Sequence, residues 1–311
     1  MDELLETGAR ALRKAALTVG AKEYILGNDK LFKLLKKAAD RYIGGETLAE
    51  TVNKVIAQNE AGIKCSIEFM GEATTSPTEV ATARAEFLKV IQEINRLDLH
   101  STVSLDLSHI GLAISQSLCL ENLDAICAEA SKHNIEVMIS AEGIERTDEV
   151  LDAYMIVQKD HKNVGITLQA YLHRTKDDFS DIINSTGRIR IVKGAFQALP
   201  GYCLPRGNAL DEAYLGYVEQ LLAGRHLCSI ATHHDKIQQA AKQLIDKFAP
   251  SNDLYEFESL YGIAGEQLDA LKEQGYPVKR YFVYGTEWYL YLCNRIAEYP
   301  MNIFRALDDM V

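Results

Sequence analysis

At 311 residues, with 47% apolar and 25% charged residues, the chain has the composition of an ordinary globular protein able to bury a large core, and its length suits one α/β barrel with an extension. The formal charge of −11 argues against a general electrostatic attraction to nucleic acid or anionic lipid and leaves room only for a local cationic pocket. The start, Met1 to Glu6, is acidic where a signal peptide needs positive charge, and no apolar run is long enough to cross a bilayer, so a cytoplasmic location without stable membrane insertion is expected.

Residues 1 to about 60 carry helical periodicity only, with Leu31, Phe32, Leu34 and Leu35, then Leu48, Val52, Val55 and Ile56, on repeating faces. Thr47-Leu-Ala-Glu50 reads as a capping box opening the last of these helices. From residue 62 the pattern changes to apolar runs of strand length over 63–70, 103–107, 135–141, 164–170, 189–193, 227–232, 254–257 and 281–284. Amphipathic stretches separate them, the first opened by Ser76-Pro77-Thr78-Glu79, a capping box with proline at the first helical position. Eight strands, each followed by a helix, predict an α/β fold: a (β/α)8 TIM-like barrel over residues 61–311 behind an N-terminal helical arm over 1–60. Six scattered cysteines without a C-x-x-C pair suggest neither a disulfide framework nor a zinc knuckle.

Chemistry in such barrels gathers at the C-terminal ends of the strands. Those ends carry Asp106-Leu-Ser108-His109, Ser140-Ala-Glu142, Gln169-Ala-Tyr171 with Arg174 beyond, Thr232-His233-His234-Asp235 and Glu256-Phe-Glu258. The fifth run, Arg188 to Phe196, strings three cations along a strand, with Arg188 and Arg190 on one face and Lys193 on the other. A charge inside a sheet demands an anion. For Arg190 that anion is either a neighbouring carboxylate or an anionic cofactor that approaches Lys193 and the Gly194 backbone. The last helix aligns Trp288, Tyr291, Asn294 and Arg295 in three- and four-residue steps, a stripe that suits core packing with a solvated arginine as well as closure over a site. No metal is expected: His233, His234 and Asp235 have ligand chemistry, but the first strand offers Lys64, Cys65 and Glu68 and no His-x-His. The absence of G-x-G-x-x-G, P-loop and G-x-S-x-G motifs argues against a Rossmann site.

Taken together, Leu168-Gln-Ala-Tyr-Leu-His-Arg174, Arg190-Ile-Val-Lys-Gly-Ala-Phe196, Ala231-Thr-His-His-Asp235, Glu256-Phe-Glu-Ser-Leu-Tyr-Gly262 and Trp288-Tyr-Leu-Tyr-Leu-Cys-Asn-Arg295 resemble the motifs of the proline dehydrogenase family. The resemblance implies a distorted barrel that holds FAD at the strand C-termini, with the last helix over the site. It implies Arg190 beside the isoalloxazine and Gln169 at the flavin edge. Lys193, with Gly194 and Ala195, is implied toward the ribityl and pyrophosphate part, and Thr232 and His233 on the adenosine side. Glu258 joins this cofactor set.

On the substrate side the chain departs from that family. Asp106 stands where the family pattern V-S-x-K-L has lysine, Asn294-Arg295 where it has two consecutive arginines that clamp a carboxylate, Ser140 where it has aspartate, and Phe196 where it has tyrosine. Tyr281, Tyr291 and Arg295 are kept. These changes make the pocket about two charge units more negative; a reversal near a carboxylate amounts to several kcal/mol at an effective dielectric near 20. The expected activity is FAD-dependent hydride removal from the carbon beside an amine, on a proline-related or other amine substrate rather than free proline. Asp106 would contact the amine, Arg295 and Asn294 would anchor the substrate, and Tyr281 and Tyr291 would shape the pocket. The electron acceptor, quinone or oxygen, is left open. The alternatives are a true proline or hydroxyproline dehydrogenase giving 1-pyrroline-5-carboxylate, and a non-catalytic flavin-binding scaffold.

Overall fold

The computed structural model describes residues 27–298, apart from residues 72 and 197, and isolated positions before residue 27. Most of the first 26 residues of the expected helical arm therefore lie outside the described residues. Eight parallel strands close in sequence order into a barrel: β1 Lys64–Phe69, β2 Ser101–Leu105, β3 Val137–Ile139, β4 Val164–Gln169, β5 Ile189–Val192, β6 Cys228–Ala231, β7 Tyr255–Leu260 and β8 Val278–Tyr284. Among the described residues, two helices precede it, α1 Asp29–Ala39 and α2 Leu48–Glu60. One helix follows each strand: α3 Pro77–Arg96, α4 Gln116–Lys132, α5 Thr147–Val157, α6 Thr175–Ile182, α7 Asn208–Ala223, α8 Asp235–Phe248, α9 Gly265–Glu273 and α10 Trp288–Glu298. Both expected capping boxes form: Thr47 with Glu50 starts α2, and Ser76 with Glu79 starts α3 with Pro77 inside the first turn.

The two faces of the strands have different chemistry because successive side chains alternate. Val103, Val137, Ile139, Ile166, Ile189 and Ile191 are fully buried in the main apolar core, which the surrounding helices cover. The alternate positions, among them Glu68, Ser104, Thr167, Arg190, Ser229, Glu256, Glu258, Lys279 and Tyr281, point into the barrel, as the strand register requires. The interior is thus filled by charges and hydroxyls where aliphatic layers are usual.

Two strands are longer than the apolar runs suggested. β7 continues to Leu260 and β8 begins at Val278; Glu256 and Glu258 are consequently interior strand residues rather than the tip of a strand. A second apolar cluster joins α1 to α10, with Trp288 edge-on to Phe32 at 5.4 Å between ring centroids. The indole nitrogen of Trp288 donates to Glu46 at 2.8 Å. Among the described residues no helix is long and apolar enough to cross a membrane.

Candidate active site

The C-terminal ends of the strands and the loops beyond them surround a cavity of about 1790 Å³, closed on one side by α10. Every site residue expected from the sequence lines it: Asp106, Gln169, Arg190, Lys193, Gly194, Ala195, Thr232, His233, Glu258, Tyr281, Tyr291, Asn294 and Arg295. Trp288 does not. The stripe on α10 divides, with Trp288 turned into the cluster with α1 and Tyr291, Asn294 and Arg295 turned to the cavity.

The β4–β6 wall carries the cations. Arg190 is 5% exposed and fully engaged: Nη1 donates to Glu258 Oε1 at 3.0 Å, Nε to Thr167 at 2.8 Å and Nη2 to Ser140 at 3.2 Å. Its guanidinium also lies 5.2 Å from the centre of the Tyr281 ring. Of the two sequence readings for Arg190, a neighbouring carboxylate is therefore present, supplied from two strands away by β7. Burial works against the charge, but Glu258, Tyr281 and Glu68 together hold Arg190 above the usual arginine range.

Beyond the strand, Lys193 donates to Asp211 at 2.5 Å and lies 2.9 Å from His234 Nδ1. Gly194 has φ of +109°, and a Cβ there would meet the Tyr171 ring at 2.1 Å, so only glycine suits this turn. Gln169 donates to the Glu142 carbonyl at 2.9 Å, and Thr232 accepts from the His234 amide at 3.1 Å. His233 Nε2 accepts from the Leu260 amide at 3.0 Å, a bond that requires neutral imidazole. Burial, reinforced by Arg295, brings its pKa down to about 4.

The opposite wall, from β1, β2, β3 and β8, carries carboxylates and hydroxyls. Glu68, at the end of β1, accepts from Ser140 at 2.8 Å and from the Tyr281 hydroxyl on the same oxygen. Tyr281 stays protonated: burial, then Glu68 and Asp106, push its phenol well above the ordinary range against the pull of Arg190. Asp106 leaves β2 as the residue before a 3-10 turn, Leu107–Ile110, and faces the cavity. His109 in that turn is buried against Phe69 and Phe87 at 5.1 and 5.7 Å, and burial brings its pKa to about 4. Arg295 lies 5.0 Å from the centre of the Tyr291 ring.

Glu68 was missing from the expected set. Its signal was the same one that singled out the other strands, an ionisable residue at the C-terminal end of an apolar run, in Ile67-Glu68-Phe69. Lys279 was also missed, because the apolar run beginning at Tyr281 hid the first half of β8.

A family model described as proline dehydrogenase matches residues 51–300. Proline dehydrogenase 2 of Bacillus subtilis strain 168 is 34% identical over 274 residues, which cover 88% of this chain and 90% of that protein. Proline dehydrogenase of Deinococcus radiodurans is 29% identical over 306 residues, covering 96% and 97%. Proline utilization A of Bdellovibrio bacteriovorus, solved after inactivation by N-propargylglycine, superposes with a TM-score of 0.78 at 15% identity. That likeness is one of fold; it covers 94% of this chain but only 41% of the longer protein. With a family model spanning most of the chain and relatives matched along nearly their whole length, the chain belongs to the proline dehydrogenase family, oxidoreductases acting on the C–H bond beside an amine nitrogen.

Proposed function

We propose that the protein is an FAD-dependent dehydrogenase whose substrate is a proline-related amine, or another amine with a second basic nitrogen, in preference to free proline. The observation that carries this reading is the meeting of two unlike walls in one cavity: Arg190 of β5 and Lys193 just beyond it on one side, and Glu68 and Asp106 on the other. The residues suit FAD. The cavity, about 1790 Å³, has room for a dinucleotide, and Lys193 stands beside the glycine turn at 194, where the backbone lets a pyrophosphate approach.

When bound, FAD supplies the two-electron acceptor for the hydride. The protein supplies position and charge. Arg190 and Gln169 would meet the isoalloxazine, with Glu258 bracing Arg190. Lys193, Gly194 and Ala195 would hold the ribityl and pyrophosphate part, and Thr232 and His233 the adenosine. Arg295 and Asn294 on α10 would bind a substrate carboxylate, while Tyr281 and Tyr291 confine the ring. Asp106, with Glu68 on the same side, would receive the second nitrogen. A cytoplasmic protein passing electrons to a quinone or oxygen accords with this reading.

A second reading, a proline or hydroxyproline dehydrogenase giving 1-pyrroline-5-carboxylate, is favoured by the naming of the relatives as proline dehydrogenases and by Arg295, which still faces the cavity. Both readings require the cofactor. Titration of the purified protein with FAD should give a stoichiometric yellow complex, and Lys193→Ala should weaken it by roughly 10- to 100-fold, the worth of one charge-assisted hydrogen bond. A protein that binds no FAD rules out both.

A further inference from the structure

The barrel interior holds a ladder of alternating charge. Arg188 bonds Glu136 at 3.0 Å and lies 3.5 Å from Glu256. Glu256 meets Lys279 at 2.5 Å, Lys279 meets Glu258 at 3.1 Å, and Glu258 meets Arg190 at 3.0 Å. The ladder runs from the partly exposed Glu136 through the buried interior and ends at the cavity, which only Glu258 and Arg190 of this set line. Its centre, Lys279, has no solvent exposure at all. An ammonium buried to that degree is costly to desolvate and persists only where carboxylates offset the loss.

The geometry divides Glu258 between two cations. Its Oε1 accepts a hydrogen bond from Arg190, and its Oε2 lies 3.1 Å from the Lys279 ammonium as an ion pair without a directed hydrogen bond. Without the lysine, both oxygens would be available to the Arg190 fork, which matches a carboxylate in bidentate fashion. The guanidinium charge would then be neutralised inside the barrel. With the lysine in place, Arg190 makes a single bond to Glu258, and its remaining bonds run to the neutral hydroxyls of Thr167, Ser104 and Ser140.

We propose that Lys279 is a positioning residue for the redox step: by holding one oxygen of Glu258 it keeps Arg190 only partly neutralised, so that positive charge stays directed at the cavity and favours the reduced state of the cofactor. This rests on the FAD reading above. Charge near the flavin is one of the means by which a protein sets its potential, and Lys279 acts on it through Glu258 and Arg190 without reaching the cavity.

The test is the two-electron midpoint potential of the FAD-loaded protein, compared with Lys279→Met and with the double variant Lys279→Met, Glu256→Gln. The single variant should reduce the equilibrium constant for flavin reduction about tenfold, equivalent to about 30 mV for a two-electron couple. The double variant restores the formal charge balance of the interior but not the contact with Glu258, and should stay lowered. A single variant that binds FAD at the unchanged potential overturns the proposal, as does a double variant that regains it. Should the single variant fail to fold, the charge-balanced double decides alone on the same criterion. Parent protein that binds no flavin refutes the cofactor reading, and this inference with it, before any variant is compared.

Discussion

The two walls of the cavity are built on different principles. On the β4–β6 side two cations are answered by carboxylates from other elements, Arg190 by Glu258 of β7 and Lys193 by Asp211 of α7, while Arg206 donates to the Gly194 carbonyl at 2.8 Å. On the β1–β3 and β8 side Glu68 is held by the hydroxyls of Ser140 and Tyr281. An anionic group entering on the first side therefore shares these cations with the carboxylates that pair with them. Asp106 and Ser140 on the second wall, with Asn294 on α10, are the positions where the sequence reading departs from the family resemblance. On the function proposed above, one wall would govern whether the cofactor is held, the other which amine is accepted.

Acid should disturb both walls together, with the largest effect. His233 on the first wall and His109 on the second each have a pKa lowered from 6.5 to about 4. The unfolded chain takes up these protons between pH 6.5 and 4 while the folded chain does not, so the stabilisation is complete above pH 6.5 and is lost as pH falls toward 4. Shifts of this size correspond to roughly 3 kcal/mol for each group. Denaturant unfolding across this range should show a steep loss of stability; a flat profile would mean that neither imidazole is held neutral.

A smaller effect, confined to the substrate side, is expected for Arg295→Ala. Removing one partner of a charge pair with a substrate carboxylate should lower kcat/KM by about 2–5 kcal/mol, roughly 30- to several-thousand-fold, with FAD affinity nearly unchanged. Equal losses of FAD binding and turnover would show that α10 serves both walls. The smallest expected change, and the one that sharpens the comparison most, comes from Asp106→Lys with Asn294→Arg. Together they should raise activity on proline relative to other amines on the order of ten- to a hundredfold, with coupled rather than additive effects if both touch one ligand. A double variant that binds FAD and gains nothing on proline would assign specificity to the shape set by Ser140 and Phe196.

Much of this was legible in the sequence because barrel chemistry follows strand ends, and the ends of β2, β3, β4, β5 and β6 each stand out as polar residues behind apolar runs. Alternation along the fifth run already put Arg188 and Arg190 on one face, and both do turn inward to Glu256 and Glu258. What remained hidden depends on register between strands distant in the chain. The partner of Arg190 lies 68 positions away on β7, and Lys279, which precedes the apolar run at 281–284, is placed in the interior only by the pairing of β8 with β7 through Glu258 and Lys279. Trp288 was grouped with Tyr291 by helical spacing, which cannot tell which side of a helix α1 will cover.

The most direct test of the division between the walls is anaerobic mixing of the FAD-loaded protein with proline and, separately, with cyclic amines bearing a second basic nitrogen, followed by the loss of visible flavin absorbance. The account predicts that at equal concentration a basic amine bleaches the flavin faster than proline does. Efficient bleaching by proline with no response to the basic amines would contradict it, and would return Asp106 and Glu68 to a structural role beside an ordinary proline site.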